Sequence, residues 1–221
     1  MKIQFYTFIS TIALITYFLP IVILLLRRTE VKNPLFLFSM YWCVNGVINL
    51  LEKLPWMNHV MLERLTVIYN MLDIPVVLAI LWFATEVTRI KKFIRFAAPS
   101  LLGVQCVNFM IQGWNYQAAT YVLGFSLLTV LVILFWEVYH YMSQLTHTTY
   151  QDSMIFMHAS LLFAYGSFVI VFIFDYCIKI GSPMDSYLIY YISTIIALMI
   201  ALVGFTYKKN TNKVAWEVLN S

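Results

Sequence analysis

The stretch LTVIYNMLDIPVVLAILWFAT, residues 65–85, decides how this chain folds, and its only charged residue is Asp73. A helix rises about 1.5 Å per residue, so about 20 apolar residues cross the hydrocarbon core of a bilayer. A helix is expected because the bilayer has no water to satisfy the polar groups of the backbone. The stretch therefore predicts a membrane-spanning helix with an acid near its midpoint, followed closely by Pro75.

The rest of the chain repeats this apolar pattern. Of its 221 residues, 62% are hydrophobic and 11% are charged, whereas soluble domains are about 25% charged. We predict an all-α polytopic membrane protein: a seven-transmembrane-helix bundle in one domain over residues 1–207, then a short cytoplasmic tail at 208–221. The first apolar segment is longer than the core of a signal peptide, so we expect it to be retained. The predicted helices span approximately residues 3–26, 34–51, 62–88, 96–112, 116–142, 151–178 and 185–207.

The distribution of lysine and arginine predicts the orientation. With seven spans, the two termini lie on opposite sides of the membrane. One side would hold ten of the 14 basic residues and the other side four: Lys2, Lys53, Arg64 and Lys179. Because cytoplasmic loops carry the excess of positive charge, we predict an N-out, C-in topology. The ten basic residues on the inner side are Arg27, Arg28, Lys32, Arg89, Lys91, Lys92, Arg95, Lys208, Lys209 and Lys213.

Asp73 predicts a polar pocket in the outer half of the bundle. A charged acid at mid-bilayer costs roughly 2.5–3.5 kcal/mol on insertion scales, so it is expected to face the bundle interior or a wet cavity. Thr66, Asn70 and Asp73 follow an i, i+4, i+7 spacing, which places them on one helix face, and Pro75 is expected to kink that helix. In the alternative interpretation, the polar groups only join helices through hydrogen bonds. The pocket candidates are Asp73, Asn70, Thr66, Asn45, Asn49, Glu52, Asn108, Asp175, Tyr190 and Tyr191.

A second polar group is predicted at the inner side. Glu137 and His140 form a Glu-x-x-His pair at the end of helix five, and His158 lies on helix six. Di-metal carboxylate bundles need this motif twice with two further carboxylates. Since the sequence has one copy, we expect no metal, and interfacial hydrogen bonding is the alternative role. Glu86 and Arg89, at the inner end of helix three, have the spacing of an i, i+3 ion pair.

Several classes of function lack their sequence signals. Helix seven has no lysine before Lys208, so a retinal Schiff base has no anchor and we expect no cofactor. The chain has no Gly-rich phosphate loop and no zinc-protease or serine-hydrolase motif. Its three cysteines have no short spacing that would indicate a disulfide framework or a metal cluster. The basic residues are explained by topology, so no nucleic-acid partner is expected.

Three segments carry a resemblance to a known class of protein. They are YFLPIVILLLRR (residues 17–28), NPLFLF (33–38) and IYNMLDIPVVLAILWF (68–83). With Pro20, Pro34 and the pair Tyr69-Asn70 before an acid, the chain resembles small seven-helix inner-membrane proteins of Gram-negative bacteria over its whole length. The resemblance implies a multi-pass protein of the bacterial cytoplasmic (inner) membrane. It implies no activity and no catalytic residues.

Three functions are compatible with these features. The first is a receptor-like or sensory protein that binds a small molecule or lipid in the outer pocket and signals to a separate cytoplasmic or membrane partner. The second is an intramembrane lipid-acting hydrolase, which needs two acids, or an acid and histidines, to meet at one point. The third is a small transporter or structural subunit, although the lack of an internal repeat weakens the transporter interpretation.

Overall fold

A computed structural model describes residues 2–27, 33–54, 57–114, 116–178 and 183–207, and within these ranges the fold is all-helical. The predicted tail at 208–221 lies outside the described residues, as do Arg28, Lys32 and Lys179. A short π-helical segment, Ile173–Ile178, continues the sixth helix. The seven α-helices are α1 (Lys2–Leu26), α2 (Pro34–Leu51), α3 (His59–Ala84), α4 (Thr88–Gln112), α5 (Tyr116–Met142), α6 (Thr149–Phe172) and α7 (Pro183–Thr206).

Local sequence signals define where several helices begin and end. The side chain of Asn33 caps α2 by accepting a hydrogen bond from the Leu35 amide, ahead of Pro34 in the first turn, which is a favoured start for a helix. Thr148 and Gln151 form a reciprocal capping box at the start of α6. Gly113 ends α4 with a φ of 84°, a left-handed conformation that glycine adopts without a steric penalty.

The link between α3 and α4 differs from the expected one. The prediction extends the third helix to residue 88 and starts the fourth at 96, whereas α3 ends at Ala84 and α4 begins at Thr88. Thr85 takes an extended conformation, and its side chain accepts a hydrogen bond from the Val87 amide. This local bond ends one helix and allows the next to begin within three residues. Glu86 therefore lies in the link, and Arg89 lies in the first turn of α4 rather than on α3.

Six of the seven helices form a closed ring, and α4 packs outside it. Going round the ring, α1 packs on α2, α2 on α3, α3 on α5, α5 on α6, α6 on α7, and α7 on α1. The contacts of α4 are with α3 and α5. The core inside the ring is apolar and includes Phe38, Leu78, Ile133, Leu161 and Leu198, all nearly fully buried. Helices α3 and α6 thus contribute to the centre of the bundle.

Close approach of α6 and α7 depends on Gly204. A Cβ atom added at Gly204 would lie 2.7 Å from the carbonyl oxygen of Ser153 and 2.8 Å from Cβ of Phe156. Small residues at a helix crossing let two backbones approach closely, as is common between membrane helices. The contact brings the end of α7 against the start of α6.

The outer surface of the bundle is strongly apolar. Met110, Ile111, Phe96, Phe125 and Leu26 are each more than two thirds exposed, although soluble proteins rarely leave large contiguous apolar patches in water. Within the described residues, seven helices are long and apolar enough to cross a membrane. The chain therefore has the properties of an integral multi-pass membrane protein.

Candidate functional site

Asp73 is held by tyrosine hydroxyl groups from three helices. Tyr41 of α2 and Tyr69 of α3 each donate to Oδ1 of Asp73 over 3.1 Å, and Tyr165 of α6 donates to Oδ2 over 2.8 Å. The hydroxyl oxygens of Tyr41 and Tyr165 are themselves 3.0 Å apart. We call Asp73, Tyr41, Tyr69 and Tyr165 the tyrosine cage. It joins α2, α3 and α6 at one point inside the ring.

Within the tyrosine cage, the triangle of Asp73, Tyr41 and Tyr165 has one more hydrogen-bonded contact than it has tyrosine protons. Its three contacts are supplied by two tyrosine O–H groups, each with one proton, while Tyr69 has two acceptors, Asp73 and Asn45, for its own single proton. When the carboxyl of Asp73 is ionised and accepts from Tyr41 and Tyr165, no proton remains between the oxygens of these two tyrosines. When the carboxyl is protonated, it donates to Tyr165, Tyr165 donates to Tyr41, and Tyr41 donates back to the carboxyl. The protonated arrangement therefore places one proton in every contact of the triangle.

A column of polar side chains leads from the tyrosine cage toward the N-terminal end of α3. The hydroxyl of Tyr69 also donates to the side chain of Asn45, and the side chain of Asn49 donates to the carbonyl of Asn45. Asn49 in turn interacts with the hydroxyl of Tyr190 on α7. Asn45 and Asn49 are buried, so these bonds satisfy amides that would otherwise be costly to bury. The column thus brings together three of the predicted pocket residues.

The column includes a second group of hydroxyls between α1 and α7. The hydroxyl oxygens of Tyr17 and Tyr190 are 2.8 Å apart, and Tyr17 also lies 3.4 Å from the hydroxyl of Thr194. Tyr17 is almost completely buried. Five helices, α1, α2, α3, α6 and α7, therefore contribute to one connected set of polar groups.

Two charged residues, Glu52 and Lys53, follow the end of α2 and lie near the end of the column away from the tyrosine cage. Thr66 donates to Oε1 of Glu52 over a long 3.5 Å, and Nζ of Lys53 donates to the hydroxyl of Ser10 over 2.9 Å. Partial burial raises the pKa of Glu52, and the hydrogen bond from Thr66 opposes this effect. Burial lowers the pKa of Lys53. Both shifts show that charge is less favourable here than in water.

We expect Glu52→Gln to raise the melting temperature slightly at neutral pH, by at most about 2 °C. The raised pKa means that the ionised carboxyl is less stable in the folded protein than in the unfolded chain. That penalty is full above the raised pKa and vanishes below the ordinary carboxyl pKa, where both states are protonated. The gain in Glu52→Gln should therefore disappear on acidification. Thermal unfolding across the acidic to neutral range measures it.

Glu63→Gln is the matched control, because Glu63 is an exposed acid in the first turns of α3. Its melting temperature should follow that of the wild type at every pH. A clear loss of stability in Glu52→Gln at neutral pH would contradict the prediction, since it would show that the folded protein favours the charged form.

The remaining pocket candidates lie in other contacts. Asn70 lines a small cavity of about 10 Å³ between α3, α4 and α5 together with Gln105. Asn108 donates to the carbonyl of Ala118 over 2.6 Å, and Asp175, in the π-helical segment, accepts from Ser186. Tyr191 packs edge-on against Tyr190, with Nζ of Lys53 5.8 Å from its ring centre. The spacing of Thr66, Asn70 and Asp73 on one face of α3 thus does not bring these three side chains into one set of described contacts.

Four of the five predicted inner-side residues line one cavity of about 50 Å³, which lies between the end of α3, the end of α5 and the start of α6. Glu86, Glu137, His140 and His158 all line it. Arg89 is not among the lining residues. Glu86 accepts a hydrogen bond of 2.9 Å from the Gln151 amide, in place of the expected ion pair with Arg89. We call this space the inner cavity.

Two buried polar atoms at the inner cavity have no hydrogen-bond partner among the described residues. They are Oε1 of Glu137 and Nε2 of His158, and the two side chains are 6% and 5% exposed. An unsatisfied buried polar atom costs about 1–3 kcal/mol, so such atoms mark places where a further group is expected to bind. The described residues contain no group of three His, Cys, Asp or Glu side chains arranged to hold a metal ion.

The three tyrosines of the cage are not among the residues predicted from the sequence. Tyr69 lies four residues before Asp73, and Tyr41, Asn45 and Asn49 follow each other at intervals of four. Both spacings place residues on one helix face and would have added Tyr69 and Tyr41 to the candidates. Tyr165 has no comparable signal, because it is 92 residues away from Asp73 and reaches it only through the packing of α6 on the bundle.

Comparison with protein-family models, with curated proteins and with solved structures found no match for this chain. The resemblance to small inner-membrane proteins of bacteria therefore stays a prediction from the sequence. The identity that the described residues establish is that of an all-helical chain with seven helices able to span a membrane, a tyrosine cage around Asp73 and a separate inner cavity.

Proposed function

We propose that this chain is a receptor-like, sensory membrane protein, inserted N-out and C-in in a bacterial cytoplasmic membrane. The observation that carries the proposal is the tyrosine cage at the inner end of the polar column. An acid buried among membrane helices is a functional hypothesis by default, and this acid contacts three different helices. From the predicted outer side, the hydrogen-bonded groups from Asn49 through Asn45 to Tyr69 lead to it.

A change in the protonation of Asp73 would act on the helices directly. In the ionised state, the hydroxyl oxygens of Tyr41 and Tyr165 face each other over 3.0 Å without a proton between them. Two such oxygens repel, which favours separation of α2 from α6. In the protonated state the same contact is a hydrogen bond. The tyrosine cage thus has two arrangements that differ in how firmly α2 holds α6, as a two-state switch requires.

Helices α3 and α6 would carry this change to the inner end. From the tyrosine cage, α6 extends toward its N-terminus through His158 to Gln151. In the same direction, α3 extends toward its C-terminus and the link that contains Glu86. The amide of Gln151 bonds to Glu86 there, so a shift of α6 relative to α3 would strain that bond. The basic residues near this end, Lys91, Lys92 and Arg95 among them, would offer charge to a separate signalling partner.

The tyrosine cage favours sensing over the hydrolase alternative. Hydrolysis at Asp73 would need a second acid or a histidine beside it, and the described hydrogen-bond partners of Asp73 are tyrosines. Two other acids among the pocket candidates, Glu52 and Asp175, bond to Thr66 and Ser186 instead. Tyrosine hydroxyls position a carboxyl and can exchange protons with it, which suits a switch.

Hydrogen–deuterium exchange of purified protein at acidic and neutral pH tests the proposal. We expect peptides covering the start of α6 to exchange several-fold faster at neutral pH, because loss of the proton from Asp73 loosens the tyrosine cage. Asp73→Asn should remove this pH dependence, since the amide imitates the protonated carboxyl. A thermal-shift screen of small polar ligands, repeated on Asp73→Asn, then seeks the ligand.

Glu63→Gln serves again as the control and should keep the full pH response, after correction for the intrinsic pH dependence of amide exchange. The proposal is wrong if Asp73→Asn responds to pH as the wild type does. The proposal is also wrong if two results occur together. The first is that exchange in α6 of the wild type is the same at acidic and neutral pH, and the second is that no ligand in the screen shifts the wild type and Asp73→Asn differently.

A further inference from the structure

We propose that the inner cavity is a binding site for a small protonated primary amine or ammonium ion. The tyrosine cage shares no residue with the lining of this cavity, whereas the signal path proposed above ends at Glu86 and Gln151, which do line it. The amine proposal rests on the volume of the cavity, on one unsatisfied atom in each of two lining side chains, and on the charge of the lining.

The size of the inner cavity limits its occupant to a few non-hydrogen atoms. A single water molecule needs roughly 10–15 Å³ of such volume, and the cavity offers about 50 Å³. Pockets for drug-sized ligands measure about 300–1,000 Å³. A whole lipid or nucleotide would not fit, whereas an ammonium group with a short substituent would.

Both unsatisfied atoms can accept a hydrogen bond. An ionised carboxylate only accepts hydrogen bonds, so Oε1 of Glu137 needs a donor. Nε2 of His158 accepts a hydrogen bond when the ring proton is on Nδ1. Thr85 interacts with the Glu137 side chain, which fixes the direction of its carboxyl group. An ammonium ion carries several N–H donors, which is the kind of group that both atoms accept from.

The lining of the inner cavity favours a positive charge. It includes two carboxylates, Glu86 and Glu137, and no described lysine or arginine. Lys91 is close enough to interact with Glu137 electrostatically, but it is turned toward the ring of Trp82, with Nζ 5.8 Å from the ring centre. Tyr141 adds an aromatic ring to the lining, and aromatic faces attract cations. A buried carboxylate is thus left for a cation from outside the chain.

Titration with methylammonium chloride, read by thermal shift, tests the site on the full-length protein. We expect a saturable rise in melting temperature that sodium chloride at the same ionic strength does not give. Tetramethylammonium, which has no N–H donor and is larger, should not give it either. Glu137→Gln should weaken the apparent affinity at least tenfold, while Glu63→Gln should leave it unchanged.

His158→Gln provides a second variant in case Glu137→Gln does not fold, and it should also weaken binding. The proposal is overturned if methylammonium has no more effect than sodium, or if both cavity variants bind as tightly as the wild type. A pH response at the tyrosine cage without amine binding would leave the sensing proposal standing and reject this one.

An ammonium group can come from a free amine or from a lipid headgroup. The titration is therefore repeated in phosphatidylcholine nanodiscs with and without phosphatidylethanolamine. If the ethanolamine lipid competes with methylammonium, the headgroup is the source of the ammonium group. If the lipid does not compete, the source is a free amine.

Discussion

Gly204→Ala should destabilise the bundle, with a steric loss of roughly 1–3 kcal/mol. The added methyl would lie 2.7 Å from the carbonyl oxygen of Ser153 and 2.8 Å from Cβ of Phe156. Neither atom is the end of a flexible side chain, so α6 and α7 would have to separate. Thermal unfolding in detergent, followed by the helical circular dichroism signal, measures the loss.

Gly103→Ala is the matched control for this prediction. A Cβ at Gly103 would meet no atom within 4 Å, so this variant should keep only the better helix propensity of alanine, worth up to about 1 kcal/mol. The difference in melting temperature between the two variants isolates the steric term. Equal melting temperatures would show that α6 and α7 do not approach each other as described.

Asp73→Leu should lower the stability by about 1–3 kcal/mol through a hydroxyl group left without an acceptor. After the substitution, Tyr69 can still donate to Asn45, and one of Tyr41 and Tyr165 can donate to the other. The remaining hydroxyl proton of that pair has no acceptor among the described residues of the tyrosine cage. Unfolding in detergent mixed with increasing amounts of a denaturing detergent measures the change.

Asp73→Asn tests the protonation state of the same carboxyl. Its amide oxygen accepts from Tyr41 and Tyr69, and one N–H of its NH₂ group donates to Tyr165 as the protonated acid does, while the second N–H has no counterpart in the acid. We therefore expect a stability between that of the wild type and that of Asp73→Leu. A loss as large as that of Asp73→Leu would mean that the negative charge itself holds the tyrosine cage together.

The helices could be predicted from the sequence because apolar length is a local property. Each of the seven predicted segments overlaps one α-helix of the structure. The largest difference is at the start of α4, predicted at residue 96 and found at Thr88. The segment RIKKFIR is predicted as a loop because membrane helices are identified by their lack of charge, and this segment is charged. Helix formation itself does not require an apolar sequence, so α4 extends through it.

The candidate site was predictable only in part. Asp73 stands out because an acid is rare in a long apolar segment. Tyr41 and Tyr165 do not stand out, since the chain has 15 tyrosines and the contact between these two joins positions 124 residues apart. Such a contact depends on how α2 and α6 pack. Glu137 and His158 were recognised as candidates, but the cavity that they share is likewise a property of packing.

The ring of contacts among Asp73, Tyr165 and Tyr41 has a further consequence. With one proton in each contact, donation can run round the three groups in either of two senses, and both use the same oxygens. Changing from one direction of donation to the other moves three protons, one in each contact, and each of the three groups stays neutral. The neutral ring can therefore exchange protons internally without water entering the bundle, whereas the ionised ring has lost this circular order.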